Sequence, residues 1–206
     1  MIIFNSKAKD FLCIVLHGLN SSSSEISYSF TSIAKKLEFV KFIFLDSDRK
    51  KVRIYGNEIV NAWYSLNSYS IFDRSDINGF QTSKNRILFE INSHNFHPSK
   101  VVLVGFSQGA AMASYVALNT DFVFKKVIML SGYLPMKLEY SNTTKQNLMM
   151  IHGLFDGQIP YFIGIYSRFI LRYFYKQNVE FVTFFGTHVI PKKIEKIFLE
   201  IFKLKE

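Results

Sequence analysis

Val101-Val102-Leu103-Val104-Gly105-Phe106-Ser107-Gln108-Gly109-Ala110-Ala111-Met112-Ala113 is the stretch on which the reading of this chain turns. Val101 to Val104 is apolar at every position, as a strand buried on both faces requires. A G-x-S-x-G turn follows, and then an Ala-rich segment, Gln108 to Leu118, that reads as a helix. A serine between such a strand and helix sits on a turn so tight that its hydroxyl projects above the sheet. Gly105 and Gly109 flank it because side chains two positions either side would collide there, and the small Ala110, Ala111 and Ala113 let the helix pack close beneath. This context makes Ser107 a candidate nucleophile.

Outward from that motif, short β-like runs alternate with helix-length segments. The runs are Phe11 to Leu16, Lys41 to Leu45, Val101 to Val104, Val127 to Leu130, Leu148 to Ile151 and Val179 to Phe184. The segments are Tyr28 to Leu37, Gln81 to Ser93, Gln108 to Leu118, Tyr161 to Lys176 and Lys192 to Lys203. This alternation predicts an α/β fold with a mostly parallel central sheet and helices on both faces. In the last helix Ile194, Ile197, Phe198, Ile201 and Phe202 share a face, so it docks as an amphipathic element. Tyr161 to Tyr175 reads as a packed helix with Arg168 and Arg172 on a solvated stripe. A membrane-surface helix, giving peripheral membrane contact, is the alternative. Ser21 to Ser24 reads as a flexible loop after the first core strand.

The chain has 206 residues, is 49% hydrophobic and shows no linker-like stretch, which predicts a single domain over residues 1–206. A chain this long buries roughly 70% of its unfolded surface, so neither disulfides nor a structural metal is required. Phe11 to Leu16 is the longest apolar run near the N-terminus. It is shorter than a signal-peptide core and far below the roughly 20 residues of a membrane span. The expectation is a soluble, cytoplasmic protein with no transmembrane segment. Cys13, the one cysteine, lies inside that run and reads as a small buried hydrophobe. No Cys/His cluster suggests a metal, and no motif calls for a cofactor. The net charge is +9, with Arg49, Lys50, Lys51 and Arg53 as the one dense basic group. The other lysines are scattered as pairs, and the abundance of Lys, Asn, Ile, Phe and Tyr fits an AT-rich coding sequence. The charge is therefore read as solvated surface, with no nucleic-acid partner, and it assigns no oligomeric state.

A serine hydroxyl needs a base, and the base needs an orienting acid. In a strand-turn-helix serine site the chain order is Ser, then Asp or Glu, then His. His152 and His188 are the two histidines after Ser107. Leu148 to Pro160 places Asp156 in the loop after one strand, and Phe184 to Pro191 places His188 in the loop after the next. Both loops emerge at the carboxyl edge of a parallel sheet, where open α/β folds put their sites. Asp156 and His188 are thus the expected acid and base. His152 is the competing base, more economically read as part of a structural turn. Asp121, at the end of the helix after the serine, is the competing acid, and His94 and His97 read as surface residues. The backbone N–H of Gln108 is one expected oxyanion donor, and the N–H of Leu19, in Leu16-His17-Gly18-Leu19-Asn20, is the other. His17 reads as a residue that fixes the loop.

His17-Gly18-Leu19, Ala62-Trp63-Tyr64, Gly105-Phe106-Ser107-Gln108-Gly109-Ala110-Ala111-Met112, Ser131-Gly132-Tyr133-Leu134-Pro135, His152-Gly153 with Asp156 and Pro160, and Gly186 with His188 occur in that order. In these the chain resembles the carboxylesterase and phospholipase group of α/β-hydrolases, which includes the acyl-protein thioesterases. The resemblance implies a Ser107, Asp156, His188 triad, an oxyanion hole from Leu19 and Gln108, no metal, and hydrolysis of carboxyl esters or thioesters. Two positions depart from the family pattern. Asn20 opens a serine run where the family continues Gly-Asp, and Thr187 intervenes between Gly186 and His188.

Only Ser131 to Asn147 separates two core strands, which is too short for a cap domain. An open site bordered by Leu19, Trp63, Tyr133 and Leu134 is expected, with Trp63 as core filler the alternative. The expected substrate is a small acyl ester or thioester, or an acylated protein. A lysophospholipid met at a membrane surface is a second reading, and an inactive member that binds acyl groups or a partner is a third.

Overall fold

Strand β2 (Phe11–Leu16) is wholly buried, and its side chains divide between two cores. Leu12, Ile14 and Leu16 belong to one, while Phe11, Cys13 and Val15 belong to the other, on the opposite face of the sheet. Period-two alternation of uniformly apolar residues is what a sheet covered by helices on both sides demands. The computed structural model describes residues 1–68, 70, 76–135 and 144–202. Its main sheet contains β1 (Ile2–Phe4), β2, β3 (Val40–Leu45), β6 (Val101–Phe106), β7 (Lys126–Leu130), β8 (Asn147–Gly153) and β9 (Asn178–Phe184). Their order across the sheet is β1-β3-β2-β6-β7-β8-β9, with only β1 antiparallel to its neighbour.

The two remaining strands, β4 (Asp48–Val52) and β5 (Glu58–Ala62), form a separate antiparallel hairpin. Gly56 and Asn57, at φ +65° and +68°, supply the two left-handed residues of its turn. Helices α3 (Ile77–Ser93), α4 (Gln108–Leu118) and α5 (Tyr161–Phe169) cover one face of the main sheet, and α5 continues as a π-helical stretch over Ile170–Phe174. The opposite face is covered by α1 (Ser23–Tyr28), α2 (Thr31–Lys36) and α6 (Ile194–Phe202). This is the α/β-hydrolase arrangement expected from the sequence.

The six expected strands are present with boundaries within two residues. Three differences have local causes. The serine run is a helix start rather than a loop, because Ser22 caps α1 by accepting the Glu25 N–H at 3.2 Å. Ser22 to Glu25 is an S-x-x-E capping signal. The single helix expected over Tyr28 to Leu37 is instead two helices broken at Ser29 and Phe30. Helix α3 begins at Ile77, four residues before the expected Gln81, because the Asp76 carboxylate accepts the Gly79 N–H at 2.9 Å. The Ser131 to Asn147 connection includes 136–143, and the expected end of the last helix at Lys203 also lies outside the described residues. Among the described residues no helix is long and apolar enough to cross a membrane.

The face that carries α6 is held by aromatic packing. Phe198 is fully buried, with its ring centroid 5.5 Å from Phe30, 6.2 Å from Phe42 and 6.0 Å from Phe202. Truncating it leaves a cavity between helix and sheet. Phe198→Ala is expected to lower unfolding stability by about 3–5 kcal/mol, read from urea denaturation. A loss below about 1 kcal/mol would show that α6 contributes little to the core.

Candidate active site

Ser107 adopts φ +54°, ψ −117°, a conformation that costs a non-glycine residue energy and is held by the packing around it. The flanking glycines explain how the turn is that tight. A Cβ on Gly105 would lie 2.0 Å from the Gly109 carbonyl oxygen, and one on Gly109 would lie 2.4 Å from the Leu16 carbonyl oxygen. No side chain fits at either place. The Ser107 N–H donates to Leu130 O at 2.9 Å, which ties the turn to β7.

Asp156 is buried and completely bonded. One carboxylate oxygen accepts the N–H groups of Gln158 and Ile159 at 3.0 and 2.8 Å. The other accepts from His188 Nδ1 at 2.8 Å. With its proton on Nδ1, His188 keeps a lone pair on Nε2. Its ring packs against Phe106, at a centroid distance of 4.9 Å. Ser107 and His188 line the same cavity of about 710 Å³. Among the described residues no hydrogen bond joins the two side chains.

The competing residues lie elsewhere. His152 is buried and does not line the cavity. Its Nε2–H donates to Ile159 O at 2.8 Å and stands 3.5 Å from Asp156. Burial lowers its pKa, so it is a neutral brace for the Asp156 loop. Asp121 is exposed and His94 pairs with Glu90, both outside the cavity lining.

Leu19 and Gln108 both line the cavity. Gln108 is the first residue of α4, where N–H groups have no partner within the helix. Its side chain is fixed, accepting from Trp63 N–H at 3.0 Å and donating to Tyr64 O at 2.8 Å. Gly18 lies close to the serine, since a Cβ there would stand 3.4 Å from Ser107 Cβ, in ordinary contact. Two groups hold this loop. His17 donates from Nδ1 to Gly18 O at 2.6 Å and accepts the Ser47 N–H on Nε2 at 3.0 Å. Asn61, on β5, accepts the Asn20 N–H on its carbonyl at 2.8 Å and donates from its side chain to Ser21 O at 2.8 Å. Asn20 sits at φ +56°, a left-handed conformation that asparagine tolerates.

The expected substrate border needs correction. Trp63 and Leu134 are fully buried and neither lines the cavity. Trp63 is core: its indole N–H donates to His17 O at 2.8 Å and its carbonyl accepts from the Ser83 hydroxyl. The Leu134 N–H is held by the Ser167 hydroxyl at 3.0 Å. Tyr133 does line the cavity, with its hydroxyl 2.7 Å from that of Tyr64. The apolar wall missed in the sequence comprises Ile54, Tyr55 and Leu66, on and beside the β4-β5 hairpin, with Ile159 opposite in the chain order. Its one legible sign was the Gly56-Asn57 turn between two short runs.

With this geometry in view, the comparisons with known proteins are specific. The family model for phospholipases and carboxylesterases matches residues 1–201. The chain belongs to this family. It is a hydrolase of the carboxylesterase type. It is 27% identical over 189 residues to acyl-protein thioesterase 1 of Debaryomyces hansenii, covering 84% of this chain and 81% of that one. It is 29% identical over 188 residues to acyl-protein thioesterase 1 of Yarrowia lipolytica, covering 85% and 83%. Among solved structures, esterase PE8 superposes with a TM-score of 0.80 at 22% identity, covering 98% of each chain. Acyl-protein thioesterase 2 of Zea mays gives 0.78 at 20% identity, covering 94% of this chain and 93% of that one. These two structures support the fold.

Burial lowers the pKa of His17 as well as that of His152, against the weaker opposing effect of their backbone bonds. Unfolding exposes both imidazoles, which then titrate near 6.5. Below that value the unfolded chain binds protons that the folded chain excludes. Their contribution to stability is therefore present above about pH 6.5 and lost as pH falls through the lowered folded values. The urea midpoint is expected to drop between about pH 7.5 and about pH 5, and less steeply in His17→Gln. A midpoint flat across that interval would contradict neutral buried imidazoles.

Proposed function

We propose that this family member cleaves acyl thioesters and carboxyl esters through an acyl-enzyme on Ser107, with His188 as base and Asp156 as its orienting acid. The observation that carries the proposal is the 2.8 Å Asp156-His188 hydrogen bond beside a strained serine that lines the same cavity. His188 Nε2 takes the Ser107 proton as Oγ attacks the acyl carbonyl, and Asp156 stabilises the imidazolium. The carbonyl oxygen becomes an oxyanion, received by the N–H groups of Leu19 and Gln108. As the tetrahedral intermediate collapses, the imidazolium protonates the departing thiolate or alkoxide. Water then attacks the acyl carbonyl as His188 takes its proton, and collapse of the second tetrahedral intermediate breaks the bond to Ser107 Oγ, which takes that proton back from His188 as the carboxylic acid departs.

The acyl chain fits the wall of Leu19, Ile54, Leu66, Tyr133 and Ile159, which is largely apolar. The relatives named acyl-protein thioesterases support an acylated protein as substrate, and the same acyl chemistry serves a small acyl ester. A lysophospholipid presents an equivalent ester.

Ser107→Ala is expected to abolish covalent labelling by a fluorophosphonate and to lower kcat on a model ester by about 10³-fold or more. Labelling that persists on another serine would reject the assignment. Asp156→Asn is expected to keep the fold and lose roughly 10²- to 10⁴-fold in kcat, because the amide favours the wrong imidazole tautomer. A near-normal rate would move the acid elsewhere.

Each buried methylene of the acyl chain contributes up to about 0.8 kcal/mol, so kcat/KM for p-nitrophenyl esters should rise about 10- to 100-fold from acetate to longer chains. Leu66→Ala should flatten this series while sparing acetate. If Trp63→Ala flattens it and Leu66→Ala does not, the acyl chain lies along a different wall.

A further inference from the structure

The outward face of α5 and its π-helical continuation is aromatic where a packed helix is ordinarily polar. Phe162, Phe169, Tyr173 and Phe174 are 66%, 47%, 56% and 67% exposed, with Ile165 and Tyr166 between them. The inward face is a different set, Gly164, Ser167 and Leu171, all buried against the sheet. Phe162, Tyr166, Phe169 and Tyr173 recur every three or four residues, so they form one stripe of about 17 Å along the helix. Apolar stripes of this kind on a protein surface mark contact sites.

Charge identifies the contact. From Gly157 to Val179 the sequence has no acidic residue and carries Arg168, Arg172 and Lys176. Arg172 and Lys176 are exposed. Arg168 lies with its guanidinium 6.0 Å from the Phe181 ring, and none of the three has a carboxylate partner among the described residues. Unpaired cations bordering exposed aromatic rings suit a surface that is apolar below and negative above. A second copy of the chain suits it poorly. A two-fold contact across the stripe would bring four cations, Arg172 and Lys176 of each copy, to one contact with no acidic residue between Gly157 and Val179 to offset them.

We infer that this face docks on an anionic lipid surface, with the aromatic side chains entering the headgroup region and Arg172 and Lys176 meeting lipid phosphates. The position of the site supports the orientation. Pro160 caps α5 and lines the catalytic cavity together with Gly157, Gln158 and Ile159, so the stripe starts at the cavity rim. A further exposed aromatic pair, Phe155 and Phe185, lies on the loops that carry Asp156 and His188. A docked molecule would meet acyl groups that are anchored in the same membrane.

The test is co-sedimentation of the full chain with two kinds of vesicle, one of phosphatidylcholine alone and one with about a third of its lipid replaced by anionic phosphatidylglycerol. Wild type is expected to partition about tenfold or more better to the anionic vesicles, and to lose that preference at high salt. Phe169→Ser with Tyr173→Ser, and separately Arg172→Glu with Lys176→Glu, should each lower partitioning about tenfold or more. Thermal midpoints and turnover of a soluble short-chain ester should stay at wild-type values in both variants. Wild type that remains in the supernatant, or variants that partition like wild type, would overturn the inference. So would a wild-type dimer that Phe169→Ser with Tyr173→Ser converts to monomer. Ser107→Ala should bind vesicles as wild type does, and a wild-type chain that binds lipid but turns over no ester would fail the enzymatic proposal alone.

Discussion

The site depends on one close approach of backbone to backbone. With no Cβ at Gly109, helix α4 starts against the carbonyl oxygens of Leu16 and His17 at the end of β2. That contact brings the first N–H groups of α4 beside the loop that follows β2, although the two are some ninety residues apart in the chain. The strained Ser107 backbone is tolerated because the strand before it and the helix after it are both fully packed. Burial of the central strands thus supplies the free energy that holds an unfavourable conformation at the site.

Around this contact lies a set of buried polar brackets. Trp63 reaches the His17 carbonyl and the Gln108 side chain, and its own carbonyl is met from α3 by Ser83. His17 spans from Gly18 to Ser47, and His152 spans from Ile159 to the edge of Asp156. Each is a planar group with polar atoms at its rim; Trp63 and His17 join loops that the sheet alone would leave independent, and His152 braces the one loop that follows β8. A neutral imidazole does this well because one nitrogen donates and the other accepts. The chemistry-bearing groups are in this way positioned by residues that do not face the cavity.

The central strands and the elbow were legible because their signals are local. Continuous apolar runs and a G-x-S-x-G between strand and helix involve neighbours in sequence, and the order Ser, Asp, His follows from the topology. The hairpin was legible only at its Gly56-Asn57 turn, because Asp48 to Val52 is mostly charged and packs only a small core of Val52, Val60 and Ala62. A strand pair with so little apolar content has no hydrophobic period to read. Trp63 stayed open between cavity border and core for a related reason. Its neighbours Ala62 and Tyr64 are buried too, and nothing local tells a tryptophan that faces ligand from one whose N–H is satisfied inside. The serine run was read by composition when its meaning lay in the position of Glu25, three residues after Ser22.

The β4-β5 hairpin serves two tasks with one piece of chain. Its neighbourhood gives the cavity Ile54, Tyr55 and Leu66, while its Asn61 holds both Asn20 and Ser21 in the loop beside the serine. Leu19 packs directly on the hairpin's small core. Under the proposed reaction, a shift of the hairpin that reshaped the wall for a new acyl group would also shift the loop proposed to face the reacting carbonyl. Under that reading, side-chain swaps on a fixed hairpin backbone could alter the wall and leave the Asn20-Ser21 loop in place, whereas an insertion that moved Asn61 would disturb both.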